Sequence, residues 1–177
     1  VTKGGQIPSG GYVPSMTGYP GIKGNEFDLE KAKALLAEAG YPNGEGFPTM
    51  TVIYNTNEGH KKIAEYVQQA WKKNLGINVE LANLEWATFL DERQSGNFQI
   101  GRAGWVGDYQ DPSNFLELFL TDGGNNDGNY SNPEFDALMA KAASMPAGAE
   151  RFEVLRQAEE ILITQDQAVI PFYIYVT

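Results

Sequence analysis

Cysteine is absent from the 177-residue sequence, and histidine occurs once, as His60. The first absence excludes thiolate chemistry and disulfides, and the second leaves no histidine cluster for a metal. A chain without cysteine is also compatible with an extracytoplasmic home, without requiring one. Cations are in short supply: 13 lysines and arginines stand against 23 acidic residues, for a net charge of −10. Phosphate binding needs a basic face, so the charge argues against a nucleic-acid partner. No apolar run approaches the ~18–20 residues needed to cross a bilayer. The opening VTKGGQIPSGG has no apolar core of the kind a signal peptide carries, so none is expected there. There is no G-x-S-x-G, no P-loop and no G-x-G-x-x-G, which removes the familiar signatures of acyl transfer and nucleotide binding.

What is present is alternation. A hydrophobic content of 42% over this length can bury one full core, so one domain is expected. Residues 1–27 hold many Gly, Pro, Ser and Tyr without periodicity and read as an extended lead-in, followed by a single α/β lobe over 28–177. Asp28 can cap a helix whose apolar residues Ala32, Leu35, Leu36 and Ala39 share a face, and Gly40 stops it. TMTVIYN (49–55) reads as a strand, 59–74 as an amphipathic helix carrying Ile63, Val67, Ala70 and a core Trp71, and INVEL (77–81) as a second strand. Strand, four-turn helix, strand is the βαβ unit, which implies parallel pairing. Further on, 86–96 reads as a helix, 98–105 as a third strand, and 113–120 as a helix. Residues 132–144 form a helix capped by Asn132 with Pro133 at its first position, and 149–164 another helix. AVIPFYIYV (168–176) is an apolar strand whose Pro171 favours an edge. The fold class is α/β: a mixed or parallel sheet with helices on its faces.

In open α/β sheets ligands sit at the carboxyl ends of the strands. GRAGWVGDYQDP (101–112) lies there and offers a cation, anions and flat aromatic walls together. The turns at Asn55–His60 and Asn83–Trp86 share its edge. Of the four arginines, Arg151 and Arg156 sit in a helix among Glu150, Glu153, Glu159 and Glu160, where neighbours three and four apart make routine surface pairs. Arg93 and Arg102 remain. Arg102 ends a buried strand, and His60 starts a helix, a region that favours anions, so the two could together receive a carboxylate. The alternative is structural: Arg93 solvated in the last turn of its helix, Arg102 paired internally, His60 exposed at a helix start. Asp108 is either an acceptor for an ammonium group or an Asx-turn residue. Asp111, before Pro112, reads as a helix cap. Trp86 and Trp105 are pocket walls or core.

An enzyme would draw on Asp108, Asp111 and Glu85 as paired carboxylates, as in a small hydrolase, but no motif supports it. GGNNDGNYSNPE (123–134) partly matches a calcium loop at Asn125, Asp127, Gly128 and Glu134. Gly123 stands where its first ligand is needed, so it reads as a flexible loop and no metal is expected.

EKAKALLAEAGYPNGEGFP, YNTNEGHKKIAEYVQQAWKKNLGINVEL, LEWATFLDERQSGNFQIGRAGWVGDYQDPSNFLELF and AEEILITQDQAVIPFYIYV, in this order and spacing, resemble the C-terminal lobe of the oligopeptide-binding proteins of extracellular solute-binding protein family 5. These are receptors of ATP-driven peptide importers. The resemblance covers essentially the whole chain. It implies one lobe of a two-lobe, type II periplasmic-binding-protein-like fold, with the N-terminal lobe and a membrane permease as partners, no cofactor and no catalysis. It also implies a periplasmic or lipoprotein location. By resemblance, Asp108 takes the peptide's α-ammonium, and Arg102, Arg93 and His60 receive its carboxylate. Gly104 and Val106 pair with its backbone as an added strand, and Trp86 and Trp105 wall roomy pockets, with Tyr109 alongside.

Overall fold

The computed structural model describes residues 5–175. The chain divides into two compact units, one formed by residues 27–104 and the other by 5–26 together with 105–175.

In the first unit the helix α1 (Leu29–Glu38) begins as its sequence demands, the Asp28 carboxylate accepting the Lys31 N–H at 2.9 Å. Strand β2 (Met50–Asn55) leads into α2 (Glu58–Leu75), which Asn57 caps by accepting from the Gly59 and His60 N–H groups. The helix therefore starts one residue earlier than the periodicity suggests. Its end is set by Gly76 at φ 73°, where a Cβ would lie 2.1 Å from the Asn43 carbonyl oxygen. Strand β3 (Val79–Leu84) pairs parallel with β2 along its whole length, from Met50 opposite Val79 to Asn55 opposite Leu84. It is shifted toward the C-terminus of the expected 77–81. After α3 (Trp86–Gln94), β4 (Ile100–Gly101) joins the other edge of β2, in parallel, with Val52 opposite Ile100. The sheet order is β3-β2-β4. All three strands run one way, so their carboxyl ends lie along a single edge, as the βαβ reading requires. Ile53, Tyr54, Ala64, Ile77, Val79 and Phe89 form the interior of this unit. Trp71, expected in the core, is only half-buried on α2.

The second unit is mostly helical. A short helix α4 (Ser113–Leu116) runs on as a 3-10 turn to Phe119, α5 (Pro133–Ala143) is capped by Asn132, and α6 (Ala149–Glu160) widens into a π turn over Ile161–Gln165. Leu116, Phe135, Leu155 and Leu162 are fully buried among these helices, each contributing roughly 1.5–3 kcal/mol.

The segment read as a lead-in is part of this core. Its β1 (Ile7–Pro8) pairs antiparallel with β5 (Tyr173–Ile174), and Val13 and Tyr19 are buried in the same apolar cluster as Leu155. Two expected strands are short: 98–105 is paired only at Ile100–Gly101, and 168–176 only at Tyr173–Ile174, with residues 176 and 177 outside the described residues. In both places the ladder ends because only two residues face a partner strand, and Pro171 lies just outside the ladder, where its missing N–H is harmless. Among the described residues no helix is long and apolar enough to cross a membrane, and no group of side chains is placed to hold a metal. Asn126, in the calcium-like loop, is instead buried and ties that loop to itself through the Leu120 and Tyr130 carbonyls.

Candidate functional site

Within the first unit, the carboxyl edge of the sheet collects His60 and Arg102. Arg102 leaves β4 with its N–H donated to the Ile53 carbonyl at 2.9 Å, which holds its backbone against the end of β2. His60 is half-buried in the first turn of α2. Burial first, and the Arg102 charge second, push its pKa below the ordinary histidine value, while the Asn55 backbone carbonyl pulls weakly the other way. The ring is therefore neutral at neutral pH, and Arg102 supplies the standing charge. His60 Nδ1 and Asn55 Oδ1 are both buried without a hydrogen bond of good geometry. Orphaned buried polar atoms are rare in native proteins. The Asn55 oxygen can only accept, whereas the His60 nitrogen can accept or donate, so this edge offers hydrogen bonds of both kinds near the Arg102 charge.

Also in this unit, Arg93 occupies the last turn of α3 with its guanidinium 5.5 Å from the centre of the Phe89 ring. Trp86, at the start of α3, is 51% exposed and leans on the same Phe89, ring centres 6.0 Å apart. Glu85 is spent locally, accepting the Ala87 N–H at 2.9 Å to cap α3. Gly104 is exposed, and its backbone makes no hydrogen bond among the described residues.

The second unit carries the remaining residues. Val106 is 82% exposed, with its backbone likewise unpaired among the described residues. The Asp108 carboxylate is exposed and has no hydrogen bond or ion pair among the described residues, although its N–H is held by Asn114 Oδ1 at 2.8 Å. It is not an Asx-turn residue. Trp105 is half-buried against the core of this unit and donates its indole N–H to Asn114. Tyr109 reaches Glu117 with its hydroxyl at 3.3 Å.

Asp111 is quite different from Asp108. It accepts from Ser113 N and Oγ, as a cap should, and it also binds Arg151, with distances of 2.6 and 3.0 Å to the two guanidinium nitrogens. Burial alone would raise its carboxyl, but Arg151 and Ser113 together hold it below the usual carboxylate range. This corrects the expectation for Arg151, which pairs across the unit and not with its helix neighbours. Arg156 does pair locally, with Glu153 and Glu160. The sequence reading also missed Glu159, which is wholly buried and not a surface acid, and Asn114. No local pattern marks either residue.

The family model of bacterial extracellular solute-binding proteins, family 5, middle, matches residues 1–127. The oligopeptide-binding protein OppA of Bacillus subtilis is 42% identical over 184 residues, covering 99% of this chain and 34% of the relative. The periplasmic oligopeptide-binding protein OppA of Salmonella typhimurium is 41% identical, covering 99% and 33%. A periplasmic oligopeptide-binding protein of Borrelia burgdorferi, solved by crystallography, superposes with a TM-score of 0.90 at 43% identity over 96% of this chain and 34% of its own. The chain thus spans about a third of the length of these relatives, and its fold is that of the corresponding part of periplasmic peptide-binding proteins.

Proposed function

The chain belongs to the bacterial extracellular solute-binding proteins of family 5, and from that premise we propose that it is the C-terminal lobe of an oligopeptide receptor serving an ATP-driven importer. The receptor works outside the cytoplasm, in the periplasm or as a cell-surface lipoprotein, and hands its cargo to a membrane permease. In this reading Asp108 takes the peptide's ammonium, Arg102, Arg93 and His60 serve carboxylates of peptides of different length, and the open backbone at Gly104 and Val106 accepts the ligand as an added strand. Trp86, Trp105 and Tyr109 wall the side-chain pockets.

The observation that carries the reading is the contrast among the three acids. Asp111 and Glu85 are consumed by an ion pair and by a helix cap, whereas the Asp108 carboxylate is exposed and has no partner among the described residues. That contrast supports binding and speaks against paired-carboxylate catalysis, so no catalytic role is assigned.

The identity of the ligand is tested by mass spectrometry of what co-purifies with the full-length protein, where a mixture of short peptides is expected and a single non-peptide solute overturns the assignment. The 177-residue chain alone lacks the facing lobe and the exclusion of water that lobe provides, so its affinity for tri- to pentapeptides is expected to be weak. Calorimetry showing micromolar or tighter binding to the isolated chain would contradict this.

His60 gives the site a pH dependence. Its pKa is lowered in the folded chain, so its contribution to stability is present above the ordinary histidine value and lost as pH falls through the lower, folded value. A ligand carboxylate reverses the local electrostatics and raises that pKa. Binding of a free-acid peptide is therefore expected to take up protons and to strengthen between pH 8 and pH 6. The C-terminal amide of the same peptide should show little of either effect. Calorimetry in buffers of different ionisation enthalpy reads the uptake directly, and equal uptake for acid and amide would remove His60 from the carboxylate site.

A further inference from the structure

Asn114 is 1% exposed, although its helix α4 follows directly on an exposed loop. Its Oδ1 accepts the Asp108 N–H at 2.8 Å and the Trp105 indole N–H at 3.2 Å, while its Nδ2 turns toward Glu117 at 3.4 Å. Two donors occupy the two lone pairs of that oxygen. Gly107 passes close over the same place: a Cβ there would lie 2.8 Å from Phe115 Cζ and 3.1 Å from Asn114 Oδ1. The chain is thus pressed against Asn114 and Phe115 with no room for a side chain. The far end of the loop is held by the Arg151–Asp111 ion pair.

We infer that Asn114 is a positioning residue for the ammonium site: by gripping the Asp108 backbone and the Trp105 ring with one oxygen, it fixes the direction in which the Asp108 carboxylate is presented. This rests on the reading of Asp108 as the ammonium acceptor. Residues 103–107 lie in no helix or strand and make no backbone–backbone hydrogen bond among the described residues, so without Asn114 the loop must be ordered when the ligand arrives. Ordering a loop on binding subtracts directly from affinity. Asn114 acts through the loop that carries Asp108 and Trp105, and its effect is largest for peptides that use Asp108.

The test uses the full-length protein, titrated with trialanine and with N-acetyl-trialanine. Asn114→Leu and, independently, Gly107→Ala are expected to weaken trialanine binding roughly tenfold and N-acetyl-trialanine binding by a clearly smaller factor. In the native protein the Asp108 amide and Trp105 indole protons should exchange slowly with solvent, although the loop is exposed. Gly107→Ala and the exchange measurement carry the test even where Asn114→Leu does not fold. Equal losses for the two peptides, or exchange of both protons at free-loop rates in the native protein, overturns the positioning role. Failure of the native protein to bind trialanine overturns the ammonium reading itself, and this inference with it.

Discussion

Asp108→Ala in the full-length protein is expected to weaken peptides with a free amino terminus by about 3–5 kcal/mol, roughly a hundred-fold to a few thousand-fold in Kd. The effect falls on the complex and not on the fold. The native carboxylate is exposed and has no partner among the described residues, so alanine leaves no broken pair within the unit. In the complex, by contrast, the ligand's ammonium would stay buried with nothing to neutralise it. N-acetylated peptides carry no such charge, so they should bind the native protein poorly and lose little more on mutation. Arg102→Ala should behave conversely, penalising free carboxylates more than amides. Arg156→Ala is the internal control: it breaks the local pairs with Glu153 and Glu160, away from the loop, and should not change the preference for free amino ends. If Asp108→Ala weakened free and acetylated peptides equally, the aspartate would have no place in recognising the amino terminus.

Glu159→Ala is expected to destabilise the protein by about 3–5 kcal/mol, because it removes one acceptor group from three buried donors. Glu159 is 0% exposed. Its Oε1 accepts the Tyr12 and Val13 N–H groups at 2.8 and 2.9 Å, and its Oε2 accepts the Tyr19 hydroxyl at 2.6 Å. These bonds fasten residues 12–19 to α6. Amide exchange at Tyr12 and Val13 should therefore accelerate well before the rest of the unit opens, and an alanine variant within 1 kcal/mol of native, with those amides still protected, would contradict the account. Burial raises the Glu159 carboxyl above the usual range, and the donors from Tyr19, Val13 and Tyr12 only partly oppose it. A raised carboxyl pKa contributes stability that is fully present below the ordinary carboxylate value and lost as pH rises through the folded value. Glu159→Gln keeps an acceptor for both N–H groups and carries no charge. Its deficit relative to native should be smaller than that of alanine, and should narrow as pH rises from about 4 to 8.

Where an interaction closes within one turn of chain, the sequence alone determined it. Asp28 and Asn132 cap the helices they were expected to cap, Gly76 ends α2 with a positive φ, and Arg156 pairs three and four residues away. The parallel β2–β3 pair follows from the same kind of argument, since a helix of this length between two strands leaves little other choice. The loop at 101–112 could also be singled out, because its residue types and its place at a strand end are both local properties.

Only the tertiary structure decided which of those residues remain available. Asp108 and Asp111 are three residues apart and chemically identical, yet one has no partner among the described residues and the other is bound by Arg151 from α6. Glu159 looks like its surface neighbours Glu153 and Glu160 until residues 12–19 are laid over it. β1 and β5 are strands only because they meet, from opposite ends of the chain. The physical reason is common to all three. Burial and pairing are properties of two segments brought together, and a side chain's own sequence neighbourhood carries no record of a partner a hundred residues away.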